Sequence, residues 1–267
     1  MSHRTIVTGP GGPLEVQEHG DGPAVALIAS LGRGAGDFSD LATRLSAAGF
    51  RGLALEPRGI GASSSPLEGV TLADLADDVA AVVLALSDGP ATLVGHAFGN
   101  RVARLVATRH PDVVESVVLL ACGGLVPPTP EVSAALAAVF DVSLDSAAHR
   151  DAVAYAFFAP GNDPSPWEGG WHADTAAAQG AATVGTPVEE WWLAGSADVL
   201  VIQPAADVVA VPENATKIVE MLGARASVVT IPHAGHALLP EQPEAVASEV
   251  LGWLNRRRAG ADVTERL

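Results

Sequence analysis

The sequence predicts an α/β fold, a central and mostly parallel sheet with helices on both faces. Three observations predict it. Short, continuously apolar runs such as Ala24–Ala29 (AVALIA) read as strands buried on both faces. Segments with apolar residues at helical spacing stand between these runs, which is the alternation a parallel sheet requires. The chain has 267 residues, 48% of them hydrophobic, with 28 Gly and 19 Pro. That is too long for a mini-protein, too apolar for a disordered chain, and suited to one large domain.

Leu14–His19 alternates apolar and polar residues, as a half-exposed strand does, and Ala24–Ala29 follows as a buried strand. Asp37 reads as an N-cap for a helix carrying Phe38, Leu41, Ala42 and Leu45, which Gly49 ends. Arg51–Leu55 is the next buried strand. Thr71 caps a helix with the stripe Leu72, Leu75, Val79, Val82, Val83 and Leu86, and Gly89-Pro90 stops it. Ala91–Val94 is a short strand, Phe98–His110 a helix, and Val113–Ala121 contains the strand VVLLA. Near the end, Val199–Gln203 and Ala226–Ile231 read as strands, and Glu213–Leu222 and Pro243–Arg258 as helices, the last with Pro at its start. The charged tail Arg256–Leu267 is expected to be frayed.

The stretch 125–195 breaks the alternation. It is rich in Ala and Pro and carries four of the five Trp residues, Trp167, Trp171, Trp191 and Trp192. It reads as a helical lid inserted into a core made of 1–124 and 196–267. Ligand sites in such folds lie outside the carboxyl ends of the strands, where a lid would sit.

Formal charge is 15 minus 31, or −16. So acidic a chain is repelled by phosphate backbones and anionic lipid, so neither nucleic acid nor membrane is an expected partner. The single cysteine, Cys122, permits no intrachain disulfide. Met1–Gly12 lacks the apolar core of a signal peptide, and apolar stretches such as Val79–Leu86 are too short to span a bilayer. The expectation is a cytoplasmic protein with a small-molecule substrate, and a homodimer is left open. No phosphate-binding Gly-rich loop or metal cluster is apparent, so no cofactor is expected.

Strand Ala91–Val94 runs into Gly95-His96-Ala97-Phe98-Gly99, and a helix follows. This is the strand–turn–helix context of the nucleophile elbow, G-x-S-x-G. The turn is sharp, so a side chain at either glycine would strike the neighbouring strand or helix. The central residue is expected in strained φ/ψ, with its side chain over the sheet. The residue after it offers a backbone N–H to an anion.

On these residues the chain resembles the α/β-hydrolase fold superfamily, over nearly its whole length. Gly95, His96 and Gly99 match the elbow. Glu56-Pro57-Arg58-Gly59-Ile60-Gly61-Ala62-Ser63 is similar to the D-x-R-G-x-G-x-S loop, with Glu for Asp. Ser30-Leu31-Gly32, at the end of the Ala24–Ala29 strand, stands where that family builds half of its oxyanion hole, in a form similar to enol-lactonase-like members. Asp207 matches the family's acid, and Gly235-His236 its histidine. The downstream Leu239-Pro240-Glu241-Gln242-Pro243-Glu244 is also typical of the family. The order elbow, acid, histidine is the order this fold uses. The resemblance implies oxyanion donors at the backbone N–H groups of Leu31 and Phe98, each worth about 3–4 kcal/mol of transition-state stabilisation.

The departure is Ala97, where such a hydrolase has Ser, Asp or Cys. Alanine cannot form an acyl-enzyme. Three readings follow. The chain is a Ser→Ala variant of a hydrolase for esters, lactones or activated C–C bonds, made to trap a bound substrate. Or its chemistry needs no covalent nucleophile, and His236, oriented by Asp207, is a general base on water or on a substrate C–H or O–H. Or it is a binding protein without catalysis, which the retained acid–base pair argues against.

The remaining polar and aromatic residues each have two readings. Asp207 acts as the acid or caps the helix near Glu213, and Asp198 is a weaker rival because it precedes its strand. His233 forms H-x-x-H with His236, but Pro232 and Gly235 deny it the helix a metal site needs. His96 packs structurally beside the turn or touches substrate. Cys122 is a small core residue or faces the pocket. Arg33 pairs with a substrate carboxylate or stays solvated at the surface. Asn100 and Arg101 are unusual companions to an elbow. Ser30, Trp167, Trp171 and Trp192 are placed with the candidate pocket, though the aromatic residues could simply pack the lid, and the pocket is expected to take a small, neutral to weakly acidic, largely apolar substrate.

Overall fold

The structure, a computed structural model, describes residues 2–264. Eight strands form one sheet: β1 (Ser2–Gly9), β2 (Gly12–His19), β3 (Ala24–Ile28), β4 (Arg51–Leu55), β5 (Ala91–His96), β6 (Val114–Leu120), β7 (Val199–Pro204) and β8 (Ala226–Ile231). Their order is β1-β2-β4-β3-β5-β6-β7-β8. The first two pairings, β1 with β2 and β2 with β4, are antiparallel, and the other five are parallel. Every residue of β3, β5 and β7 is buried, as their unbroken apolar runs require. The edge strand β8 is covered on one side only, and Val228 is exposed.

The helices are α1 (Ser39–Ala47), α2 (Leu72–Leu86), α3 (Phe98–Arg109), α4 (Pro130–Val139), α5 (Ser146–Phe157), α6 (Ala173–Val184), α7 (Glu213–Leu222), α8 (Leu238–Glu241) and α9 (Pro243–Thr264). Helices α2, α3 and α7 bury Leu72, Val102 and Ile218 in the core on one face of the sheet. Helices α1, α8 and α9 bury Leu41, Leu238 and Val246 on the other. Between β6 and β7 lie α4, α5 and α6, with no strand, around a small core that includes Val139, Val153, Phe157 and Trp167. Among the described residues, no helix is long and apolar enough to cross a membrane.

The cap of α2 is a reciprocal capping box. The Thr71 hydroxyl accepts from the Asp74 N–H at 3.1 Å, and the Asp74 carboxylate accepts from the Thr71 N–H at 2.8 Å. Three expectations need correction. Asp37 caps nothing: it lies in a 3₁₀ turn, Ala35–Phe38, and both its carboxylate oxygens accept from Arg33. A charge-assisted fork of this kind outweighs a neutral cap bond. Residues 2–9 are a full strand, which the sequence reading passed over because an edge strand carries no continuous apolar run. Helix α9 continues through Arg258 to Thr264, and residues 265–267 of the expected frayed tail lie outside the described residues.

Candidate active site

The elbow is built by backbone packing. β5 ends at His96, and Ala97 takes φ 50° and ψ −104° before α3 begins at Phe98. A positive φ is strained for any residue with a Cβ, and it persists because the surroundings over-determine it. A Cβ on Gly95 would lie 2.4 Å from the carbonyl oxygen of Gly99, and one on Gly99 would lie 2.1 Å from that of Ile28. Both glycines are therefore required. The Ala97 N–H donates to the Leu120 carbonyl at 3.0 Å. Asn100, an unusual residue after an elbow, donates from Nδ2 to the Ala121 carbonyl at 2.9 Å and fastens α3 to the end of β6.

Asp207 follows β7, and His236 follows β8. Both are buried. His236 Nδ1 lies 3.1 and 3.0 Å from the two Asp207 carboxylate oxygens, to which it donates, and Nε2 has no protein partner among the described residues. Asp207 Oδ1 also accepts from the N–H groups of Val209 and Ala210, at 2.9 and 2.8 Å. These bonds fix the carboxylate before it meets the imidazole.

The histidine loop hangs on one carboxylate. Glu241 accepts from the N–H groups of Gly235 and Ala159 and from Asn162 Nδ2, each at 2.7 Å. The Ala237 N–H donates to the Phe157 carbonyl at 2.7 Å. Loop and insertion are therefore tied together at the site. His96 Nε2 donates to the His236 carbonyl at 2.8 Å, and its Nδ1 has no partner. Full burial, with His236 beside it, pushes His96 down to about 3, so the ring is neutral.

A cavity of about 730 Å³ opens over the elbow. Ser30, Leu31, Ala97, Phe98 and His236 all line it, so the structure gathers these five sequence-selected residues around one space. Among the described residues no carbonyl or side chain accepts from the N–H of Leu31 or of Phe98. The loop carrying Leu31 is held from the insertion. The Gly32 N–H donates to Gln179 Oε1 at 2.8 Å, and the Gly32 carbonyl accepts from the His172 N–H at 3.0 Å. Such an arrangement can accept a proton at His236 Nε2 and hold negative charge between two backbone N–H groups.

Five residues placed with the pocket do not form its wall. His96 is fully buried behind the elbow. Trp167 and Trp171 instead pack against the Arg33 guanidinium, at 4.6 and 4.5 Å from the ring centroids, with their own planes nearly perpendicular. Arg33 is accordingly buried and paired with Asp37, rather than solvated or free for substrate. Trp192, with Trp191, covers Arg104 in the same way, at 4.7 and 4.6 Å. A buried guanidinium needs such faces, because a bare cation in an apolar interior is costly. Cys122 lies beneath the wall, 3.9 Å from Arg104 Nη1, and burial raises its thiol pKa, the opposite of what a nucleophile needs. Asp198 pairs with Arg257 at 3.0 Å. Among the described residues no cluster of three or more His, Cys, Asp or Glu is placed to hold a metal.

The wall also contains residues the sequence reading did not select, chiefly Val126, Leu136, Phe140, Phe157 and Thr183 from the segment between β6 and β7. No local signal could have found them, since each is an ordinary core-like residue. Glu241 could have been found: in the run Leu239–Glu244 it is the acidic residue that precedes the helix predicted from Pro243.

Comparison with known proteins agrees with this geometry. A family model described as alpha/beta hydrolase fold matches residues 23–163, more than half of the chain. A 2-(acetamidomethylene)succinate hydrolase from Mesorhizobium japonicum is 37% identical over 107 residues, which are 40% of this chain and 38% of that protein. The chain thus matches only about two fifths of that relative's length. The crystal structure of E-2-(acetamidomethylene)succinate hydrolase superposes with a TM-score of 0.77 at 25% identity, covering 96% of this chain and 100% of that one. A hydrolase from Pseudomonas aeruginosa PA01 superposes with a TM-score of 0.79 at 26% identity, covering 94% and 98%. With the elbow, the ordered acid and histidine, and a family match over more than half its length, the chain belongs to the α/β-hydrolase fold family of enzymes.

Proposed function

We propose that this chain is a general-base enzyme acting on a small, largely apolar carbonyl compound without a covalent intermediate. One observation carries the reading: a buried, hydrogen-bonded Asp207–His236 pair faces a cavity whose elbow position is Ala97. An acyl-enzyme needs an oxygen or sulfur at residue 97, and proton transfer does not. His236 Nε2 takes a proton from water, or from a C–H or O–H of the substrate. The charge that develops on the carbonyl oxygen is held by the N–H groups of Leu31 and Phe98. Asp207 stabilises the imidazolium, which then returns the proton to the leaving atom. Ester, lactone or activated C–C cleavage by direct attack of water fits this scheme, and so does enolisation. Similarity to hydrolases of small carbonyl substrates supports it. Proton transfer of this kind needs no cofactor. A cytoplasmic setting is supported by the lone Cys122, and the charge of −16 speaks against nucleic acid as a partner.

The strained backbone at Ala97 favours a second reading, a hydrolase lacking only its nucleophile, because the elbow conformation persists without one. One experiment separates the two. The chain and its Ala97→Ser variant are assayed on short-chain aryl esters and lactones, and on ketones for proton exchange, with His236→Ala of each as control. The general-base reading expects turnover by the chain itself, reduced about 10²–10⁴-fold in His236→Ala. An inert chain whose Ala97→Ser variant gains His236-dependent hydrolysis would overturn it in favour of the second reading.

A further inference from the structure

Arg101 stands out in the cavity wall. It lies in the first turn of α3, four residues beyond Ala97, and it is half-buried. Among the described residues it is the sole wall residue with a permanent charge, and no carboxylate lines the cavity. Arg33, Arg51 and Arg58 each meet an acid, respectively Asp37, Glu18 and Asp78. Among the described residues Arg101 has neither an ion pair nor a hydrogen bond, and its one partner is the Trp191 ring, 5.6 Å from the guanidinium carbon. Its neighbour Arg104 is fully buried, and its donors are taken by the Asn100 and Gly123 carbonyls and by Asn100 Oδ1. Burial pulls both guanidinium groups below the usual arginine range, and no neighbouring carboxylate restores them.

A half-buried cation with empty donors is costly unless something anionic meets it. The chain as a whole carries a net charge of −16, so the positive wall is a local exception. The guanidinium fork matches an oxyanion of carboxylate or phosphate shape. A phosphate dianion would bring a second negative charge into an otherwise apolar wall, with no second free cation to meet it. A carboxylate brings one.

We propose that the cavity takes a carboxylate-bearing substrate and that Arg101 binds the carboxylate. Resting on the general-base reading, the reacting carbonyl then lies at the Leu31 and Phe98 N–H groups, with an apolar body between it and the insertion. Arg101 is thus a specificity-determining residue, and the substrate class is the monoanionic oxo-acid, ester-acid or lactone-acid rather than the neutral ester.

The test is binding, read without turnover. Isothermal titration compares 4-phenylbutyrate and 6-phenylhexanoate with their amides and with 3-phenylpropyl phosphate. The unsubstituted chain is expected to bind each acid at least about tenfold more tightly than its amide. Arg101→Gln is expected to weaken the acids about 10- to 100-fold and leave the amides within about twofold. Arg101→Lys, which keeps the charge but not the fork, falls between. Equal affinity of acid and amide in the unsubstituted chain, absence of binding included, overturns the proposal, and needs no variant to fold. Acid preference that survives in Arg101→Gln overturns it too, and tighter binding of the phosphate overturns the carboxylate assignment. His236→Ala is expected to keep the acid preference. Acid preference without turnover would therefore leave Arg101 in its role and remove the general-base reading.

Discussion

The turn that carries Ala97 is held by backbone packed on backbone, whereas the loop that carries His236 adds to a close backbone contact at Gly235 a set of hydrogen bonds to the Glu241 side chain. At the turn, Gly95 and Gly99 leave no room for a Cβ, and the nearest atoms are main-chain atoms of α3 and β3. At the loop, three donors converge on one carboxylate at 2.7 Å each. The difference explains how the nucleophile position can hold alanine while the site keeps its shape. The elbow's conformation never depended on the side chain at 97. The base, by contrast, rests on the polar bonds around it as well as on packing at Gly235. His96 joins the two, since it belongs to the elbow strand and donates to the His236 carbonyl.

Gly99→Ala tests the steric half and should have the largest effect. Its Cβ would meet the Ile28 carbonyl oxygen at 2.1 Å, and neither backbone can yield alone. A loss of more than about 4 kcal/mol in urea unfolding is expected, or failure to fold. A loss below about 1 kcal/mol would mean that the elbow is not held by packing.

Glu241→Gln tests the polar half. The amide keeps the shape but turns a donor toward a cluster of donors, so the expected loss is about 2–3 kcal/mol. Amide hydrogen exchange should localise the change to Gly235 and Ala159. Protection unchanged at both would separate Glu241 from the position of His236.

His96→Asn tests the link, and its effect is the smallest near neutral pH. Folded His96 stays neutral down to about 3, whereas the unfolded chain protonates it below 6.5. Between those values the unfolded state binds the extra proton. Stability contributed by this group is therefore complete above 6.5 and falls by about 1.4 kcal/mol for each pH unit below it. Urea unfolding at pH 5 and pH 7 should show a smaller difference in His96→Asn than in the unsubstituted chain. Equal differences would mean that His96 takes up its proton in the fold.

Much of the fold was legible because the signals were local. An unbroken apolar run such as AVALIA can only be a strand covered on both sides, and Thr71 with Asp74 three residues later marks a helix start by itself. Gly95 and Gly99 announced a sharp turn because only glycine fits one. Strand β1 escaped because an edge strand needs no apolar run, and Asp37 was misread because its true partner, Arg33, lies behind it on a loop. The tryptophans were misplaced for a related reason. Their place in the inserted segment points to a pocket wall, but nothing in the local sequence says that Arg33 and Arg104 are buried and need aromatic faces.

The sequence by itself determined the alternation of strands and helices, the sharp turn at Ala97, the absence of a nucleophile there, and the order of acid and base along the chain. Each of these is set by neighbours within a few residues, where propensity, periodicity and steric size act directly. Tertiary structure alone decided that Asp207 and His236 meet across 29 residues of chain, that Glu241 holds the loop, that Trp167 and Trp171 serve Arg33, and that Arg101 faces the cavity with no ion pair among the described residues. These depend on which side chains are desolvated together, and desolvation is a property of the packed whole.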